Sequence, residues 1–187
     1  MDSTAFRISP DMRARLAKIH QRGEDDGLTP VMELEIPQEP EFEMGGGGLY
    51  GTVADYTKFV QMMLNQGRNA RGEQVLKPET VATMSQNAMG ETRVTLLTAA
   101  IPPLTNDAEF FPGLDKRWSL SFMTNEDAAP TGRSAGSLAW AGLANTYYWI
   151  DQKMGIGGVF ATQILPFADK RSLPLYLAFE EAVYRAH

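Results

Sequence analysis

The stretch from Gly136 to Gln163, GSLAWAGLANTYYWIDQKMGIGGVFATQ, constrains this chain most. Two apolar runs rich in aromatic and β-branched residues, Ala144–Ile150 and Val159–Leu165, flank Asp151–Gly155, a turn by composition. That arrangement predicts a hairpin with a long loop. The runs are too continuous for a sheet with one wet face. They are expected to lie centrally in an antiparallel sheet covered on both sides. Ser137–Trp140 predicts a preceding strand, which runs into Ala141 and Gly142. A strand ending in a small residue and glycine lets a backbone or ligand approach closely.

The covering layers are expected to be helical. Thr52–Gln66 has Thr52 as N-cap and Asp55 three residues on, a variant of the capping box. Val53, Tyr56, Val60, Met63 and Leu64 form its apolar stripe, and Gly67 ends it. Arg171–Ala186 predicts a closing helix with a stripe of Leu175, Phe179, Ala182, Val183 and Ala186, and with Pro174 in its first turn. Shorter helices are predicted over Pro10–His20, capped by Ser9, and over Lys77–Met84, opened by Pro78. Thr29–Ile36 reads as a short edge strand and Val75-Leu76 as another. Arg117–Met123 reads as one strand with Trp118, Leu120 and Phe122 on one face. Gly45–Gly48 predicts a tight turn in which only hydrogen fits; it lacks the Lys-Ser/Thr ending of a phosphate loop. Glu91–Asp115 is unpatterned; its Phe110 and Phe111 are expected in a loop, where they are exposed, line a pocket or pack onto the body. The fold class is therefore α+β, an antiparallel sheet packed with helices.

Composition narrows the function. The 187 residues carry a formal net charge of −6, and Lys and Arg form no stripe, so no nucleic-acid partner is expected. No apolar run is long enough to span a bilayer and Met1–Arg7 has no signal-peptide character, so no membrane partner is expected and a cytoplasmic location is favoured. Cysteine is absent, which removes disulfides, thiolate nucleophiles and Cys-based metal sites. The two histidines, His20 and His187, are too few and too terminal for a Ser-His-Asp triad. No His or carboxylate cluster has ligand spacing, so neither a metal nor another cofactor is expected.

Trp140-Ala141-Gly142, the YYWID hairpin, and Gly45–Leu49 followed by Ala54-Asp55-Tyr56 resemble serine hydrolases of the β-lactamase superfamily. The resemblance extends to penicillin-binding-protein-like enzymes and is nearest to the class C-like carboxylesterases, where a Trp-x-Gly box stands in place of Lys-Thr-Gly. Leu76–Val81 and Met1–Phe6 resemble segments of the same family. The resemblance covers nearly the whole chain but only the C-terminal portion of such a domain. It implies a partial β-lactamase-like α/β sandwich over 1–187, with a helical region and Gly-rich turn in 1–90 and sheet strands, hairpin and closing helix in 91–187. The implied activity is cleavage of carboxylic esters through an acyl-enzyme. Trp140, Ala141 and Gly142 would form the substrate-binding wall, and the Leu143 backbone N–H one oxyanion donor. Trp140 in place of a lysine removes a cation for a substrate carboxylate and favours neutral acyl esters.

The nucleophile is absent. Such enzymes need Ser-x-x-Lys on one helix face and a separate tyrosine. None of the eight serines has lysine at the third following position, and no Tyr-x-Asn or Tyr-x-Ser occurs. Three readings follow. The chain is the truncated portion of a hydrolase, half of a split enzyme completed by an N-terminal fragment, or a non-catalytic binding or scaffold protein derived from a hydrolase. An uncovered strand near the hairpin is expected to drive association into a homo-oligomer.

Overall fold

The computed structural model describes residues 1–31 and 35–187. Its main sheet has five antiparallel strands in the order β3-β4-β5-β6-β7. They are β3 (Lys116–Trp118), β4 (Met123–Asn125), β5 (Leu138–Gly142), β6 (Thr146–Asp151) and β7 (Ile156–Phe160). A smaller sheet joins β1 (His20–Arg22), β2 (Leu28–Pro30) and β8 (Ile164–Leu165) in the order β2-β1-β8. The helices are α1 (Pro10–Ala14), α2 (Val53–Leu64), α3 (Pro78–Ser85) and α4 (Ser172–Arg185). The α+β class is as expected.

Residues alternate across β6, and both faces are buried. Tyr148 and Ile150 pack with Val60, Met62 and Met63 of α2 and Val81 of α3. Tyr147 and Trp149 pack on the other face with Tyr176 of α4, Phe110 and Phe111. The neighbouring strand is hollowed to admit these layers. Trp149 stands opposite Gly158, where a Cβ would lie 2.2 Å from the indole ring. At Gly157, on the other face, it would lie 2.6 Å from Val60 Cγ1. Two consecutive glycines thus let a large ring and a helix approach β7 from opposite sides.

Several boundaries differ from the sequence reading. The second run is not one strand: β7 begins at Ile156 and ends at Phe160, and Ile164-Leu165 crosses to pair in parallel with β1. Nor is β7 central, since it forms an edge. Arg117–Met123 is broken by a turn in which the Ser119 hydroxyl accepts from the Phe122 N–H at 2.9 Å. Leu120 is left exposed, and Phe122 turns to the α2 face. The Pro10–His20 helix stops at Ala14 with no buried residue, and His20 opens β1. β2 is shorter than Thr29–Ile36; positions 32–34 of that expectation lie outside the described residues. Val75 and Leu76 form no strand but donate their N–H groups to the Gly67 carbonyl. Only Gly48 of the glycine run is crowded, with a Cβ position 2.8 Å from the Met44 carbonyl; Gly45 and Gly46 are open.

Helix faces also differ. Thr52 caps α2 as expected, its hydroxyl accepting from the Asp55 N–H at 3.2 Å, while Val53 is exposed. The Asp55 carboxylate closes no capping box. It accepts from Ser3 N–H at 2.8 Å and Thr4 Oγ1 at 3.1 Å and pairs with Lys58 at 2.6 Å, tying the N-terminus to α2. On α4 the buried face is Ser172, Tyr176 and Glu180, and the predicted apolar residues Leu175 and Phe179 point outward. A ring of polar partners selects that face: Tyr176 and Glu180 are hydrogen-bonded to one another at 2.8 Å, and Glu180 faces Arg133.

Gly158→Ala is expected to destabilise the fold by roughly 1–3 kcal/mol, because Trp149 must leave its rotamer or β7 must shift. Val60→Ala is expected to cost about the same through lost burial. Urea unfolding monitored by near-ultraviolet circular dichroism checks both. Lys58 foremost, then the Ser3 N–H, hold the Asp55 carboxyl at about 2, below its ordinary value of 3.8. Its contribution is therefore present above pH about 4 and is lost as pH falls towards 2. Asp55→Asn is expected to be less stable at neutral pH and to converge with the parent at low pH, as read by thermal melts across that range.

Candidate active-site wall

β5 presents an incomplete edge. On one side it pairs with β6 along its whole length, from Leu138 opposite Ile150 to Gly142 opposite Thr146. On the other side β4 reaches only Leu138 and Ala139. Among the described residues, Trp140, Ala141 and Gly142 therefore have no strand beside them on the β4 side, and all three are half-buried. Leu143, the next residue, is exposed. Among the described residues no hydrogen bond is found for its N–H. The structure thus brings the four sequence-predicted site residues together in one open strand end.

Aromatic packing sets the Trp140 ring. Trp118 meets it edge-on with ring centres 4.4 Å apart, and Phe110 lies at 6.4 Å. Phe110 and Phe111 are buried, so of the alternatives open in the sequence the loop packs onto the body. Lys116 anchors their loop. Its buried Nζ donates to the Phe111 and Leu114 carbonyls at 3.1 and 2.8 Å, and burial pushes its pKa down. Below the ring, Trp140, Phe110, Arg133, Tyr147 and Tyr176 line a cavity of about 10 Å³, enough for about one water molecule. The larger groove, of about 260 Å³, lies between α3 and Leu120 and includes none of Trp140–Leu143.

Arg133 and Glu180 were not singled out by sequence, yet both are almost wholly buried beneath this wall. Arg133 Nε lies 3.1 Å from Glu180 Oε1, an ion pair not aligned as a hydrogen bond, and its guanidinium sits 5.0 Å from the centre of the Phe111 ring. Glu180 also accepts from Thr131 Oγ1 and from Tyr176 Oη. A buried cation stacked on an aromatic face and met by a carboxylate stiffens the floor of the wall. Sequence spacing carries no signal for it, because the partners come from different elements.

The turn after β5 is the second feature missed. Asn145 falls inside the predicted strand Ala144–Ile150, but it closes a three-residue loop with φ +59°, its N–H donating to the Gly142 carbonyl at 3.0 Å. Asparagine tolerates that left-handed conformation, and the residue type just before an aromatic β run is the available clue. Tyr56 and Tyr148 pack with ring centres 5.0 Å apart, and burial raises both hydroxyls above their ordinary pKa. The buried serines are committed locally. Ser137 donates to the Ser134 carbonyl, Ser119 to the Phe122 carbonyl and Ser172 to Asp169. The glycine turn touches Phe6 and Met44 and not the Trp140 strand. No group of three His, Cys, Asp or Glu residues suited to a metal ion occurs among the described residues, nor is any of their helices long and apolar enough to cross a membrane.

A model of the Beta-lactamase family matches residues 1–182. The chain belongs to the beta-lactamase family. Among curated proteins it is similar to Protein Rv1367c of Mycobacterium tuberculosis, 28% identical over 172 residues that cover 89% of this chain and 40% of that protein. It is similar to monacolin J acid methylbutanoyltransferase of Aspergillus terreus, 28% identical over 187 residues that cover 94% of this chain and 43% of the relative. Among solved structures, simvastatin synthase of Aspergillus terreus superposes with a TM-score of 0.79 at 24% identity, covering 99% of this chain and 46% of that one. This beta-lactamase-family chain thus spans less than half the length of these relatives.

Glu180→Ala would leave the Arg133 guanidinium buried without its carboxylate. It is expected to cost about 3–5 kcal/mol of stability, whereas replacing both partners by apolar residues of similar volume costs less. Chemical denaturation of the single and double variants checks this.

Proposed function

We propose that this chain forms one wall of an acyl-transfer site acting on neutral carboxylic esters, with the nucleophile supplied by a segment outside residues 1–187. The open end of β5 carries the reading. The unpaired edge of Trp140–Gly142 can receive an extended substrate. The free Leu143 N–H can donate to the carbonyl oxygen as it becomes an oxyanion, a charge that exists only as the acyl group is transferred. Trp140, stacked on Trp118, offers an apolar face to the acyl chain and no cation to a substrate carboxylate. The methylbutanoyltransferase relative supports transfer of an acyl group as well as hydrolysis. Trp140, Ala141 and Gly142 contact the substrate, and Leu143 stabilises the oxyanion.

The complement is a segment resembling the unmatched portion of the relatives. The β7 edge, Ile156–Phe160, has no charge or proline to discourage pairing. Beside it Leu175 and Phe179 of α4 are exposed, the latter ring 6.4 Å from Phe160. The edge favours association, either as a homo-oligomer or with a fragment resembling the unmatched portion of the relatives. A specific interface would bury at least about 1,000 Å² in total.

The chain alone is expected to leave p-nitrophenyl acetate at background hydrolysis. Mixing it with the unmatched portion of the methylbutanoyltransferase is expected to raise turnover at least ten-fold, and Trp140→Ala to reverse most of that gain. Turnover by the chain alone that is lost on a single Ser→Ala change would overturn the reading; ester binding without turnover in the mixture would favour the non-catalytic alternative. In sedimentation at micromolar concentration the expected species is a dimer or larger, or a complex with the added portion. A monomer indifferent to it would refute the association.

A further inference from the structure

The three-residue turn Leu143–Asn145 is held at Asn145 and at the Ala144 carbonyl, while among the described residues the Leu143 and Ala144 N–H groups find no partner. Asn145 is wholly buried, and its side chain uses both amide hydrogens and accepts twice. Nδ2 donates to the Ile164 and Pro166 carbonyls at 2.7 and 2.8 Å. Oδ1 accepts from Tyr147 Oη at 2.6 Å and from the Asp169 N–H at 3.0 Å. The backbone carbonyl of Ala144 accepts from Thr162 Oγ1 at 2.7 Å and from the Ile164 N–H at 3.3 Å. Asp169 is itself held. It pairs with Arg22 at 2.5 Å and caps α4 through the Ser172 N–H at 2.8 Å. Burial alone would raise its carboxyl, yet Arg22 and the Ser172 N–H hold it below the ordinary value.

Backbone conformation does not require this residue. Glycine adopts φ +59° at least as readily as asparagine, so the left-handed turn alone would be satisfied without a side chain. What asparagine adds is four directed bonds that join the turn to β8, to the approach of α4 and to β6. Aspartate has the same shape but lacks the two donors, and would turn an anion towards the Ile164 and Pro166 carbonyls. We infer that Asn145 is the positioning residue for the Leu143 amide: it locks the turn so that this N–H stays available at the open end of β5. The inference rests on the role proposed for Leu143, since an oxyanion donor must be oriented before charge develops.

The test is ¹⁵N relaxation on the protein as it stands, which needs neither substrate nor nucleophile. The Leu143 amide is expected to have an order parameter near that of the sheet, about 0.85. In Asn145→Gly it is expected to fall below about 0.6 while Tyr148, Trp149 and Val159 keep their values. Tyr147→Phe, which removes one of the four bonds, is expected to lower it by a smaller step. Val60→Ala serves as control: it weakens the fold from the opposite face and is expected to leave the Leu143 value unchanged. A Leu143 amide that stays rigid in Asn145→Gly overturns the inference, and so does one that loosens only in step with the sheet. Should Asn145→Gly fail to fold, an unchanged Leu143 order parameter in Tyr147→Phe overturns it equally. Failure of the mixing experiment would remove the acyl-transfer reading without altering these values.

Discussion

Everything in this molecule depends on β6 being buried on both faces. A strand whose residues alternate Tyr147, Tyr148, Trp149 and Ile150 has no side it can leave to water, so a layer must cover each face. The layers are α2 with α3 on one side and α4 with the Phe110 loop on the other. The consecutive glycines of β7 are the counterpart of this demand. They take away side-chain volume where the indole of Trp149 and the Val60 methyl need it. The backbone cost of two glycines in a strand is offset by the packing of a buried indole and a helix.

The irregular segments are held by buried polar side chains rather than by ladders. Asp151 accepts from the Ser134 and Met154 N–H groups and from Tyr184 Oη, fixing the turn before β5 and the end of α4 to the hairpin. Asp169 does the same for β1 and the start of α4, Glu180 for Arg133 and Thr131, and Asn145 for the turn after β5. Buried donors and acceptors are costly when unpaired, so each hub permits essentially one arrangement of the loops around it. Asn145 and Asp169 lie at the end of β5 that carries Leu143, and Asp151 lies at the opposite end of the β5–β6 pair.

The chain, a member of the beta-lactamase family, places its Trp-Ala-Gly box at a strand edge that no other strand occupies among the described residues. The two edges of the sheet are not equivalent. β3 is covered by backbone from the segment before it, the Ala88 and Val94 N–H groups donating to the Trp118 and Lys116 carbonyls. β7 has no such cover among the described residues.

Local sequence determined the elements whose evidence is local. The α2 helix with its Thr52 cap, the aromatic strand pair around Asp151–Gly155, and the strand ending at Gly142 could be read from periodicity, caps and turn residues alone. The absence of Ser-x-x-Lys was equally plain, because that chemistry requires a fixed spacing. Tertiary structure decided what depends on distant partners. It turned Leu175 and Phe179 outward, since Glu180 had to face Arg133 and Thr131; it buried Phe110 and Phe111, in a loop whose Phe111 and Leu114 carbonyls Lys116 gathers; it cut Val159–Leu165 in two, since Ile164 pairs with a strand more than a hundred residues earlier. Asn145 belongs to both. Its residue type marks a turn, but the four groups that satisfy its side chain come together only when β6, β8 and the approach to α4 have already met.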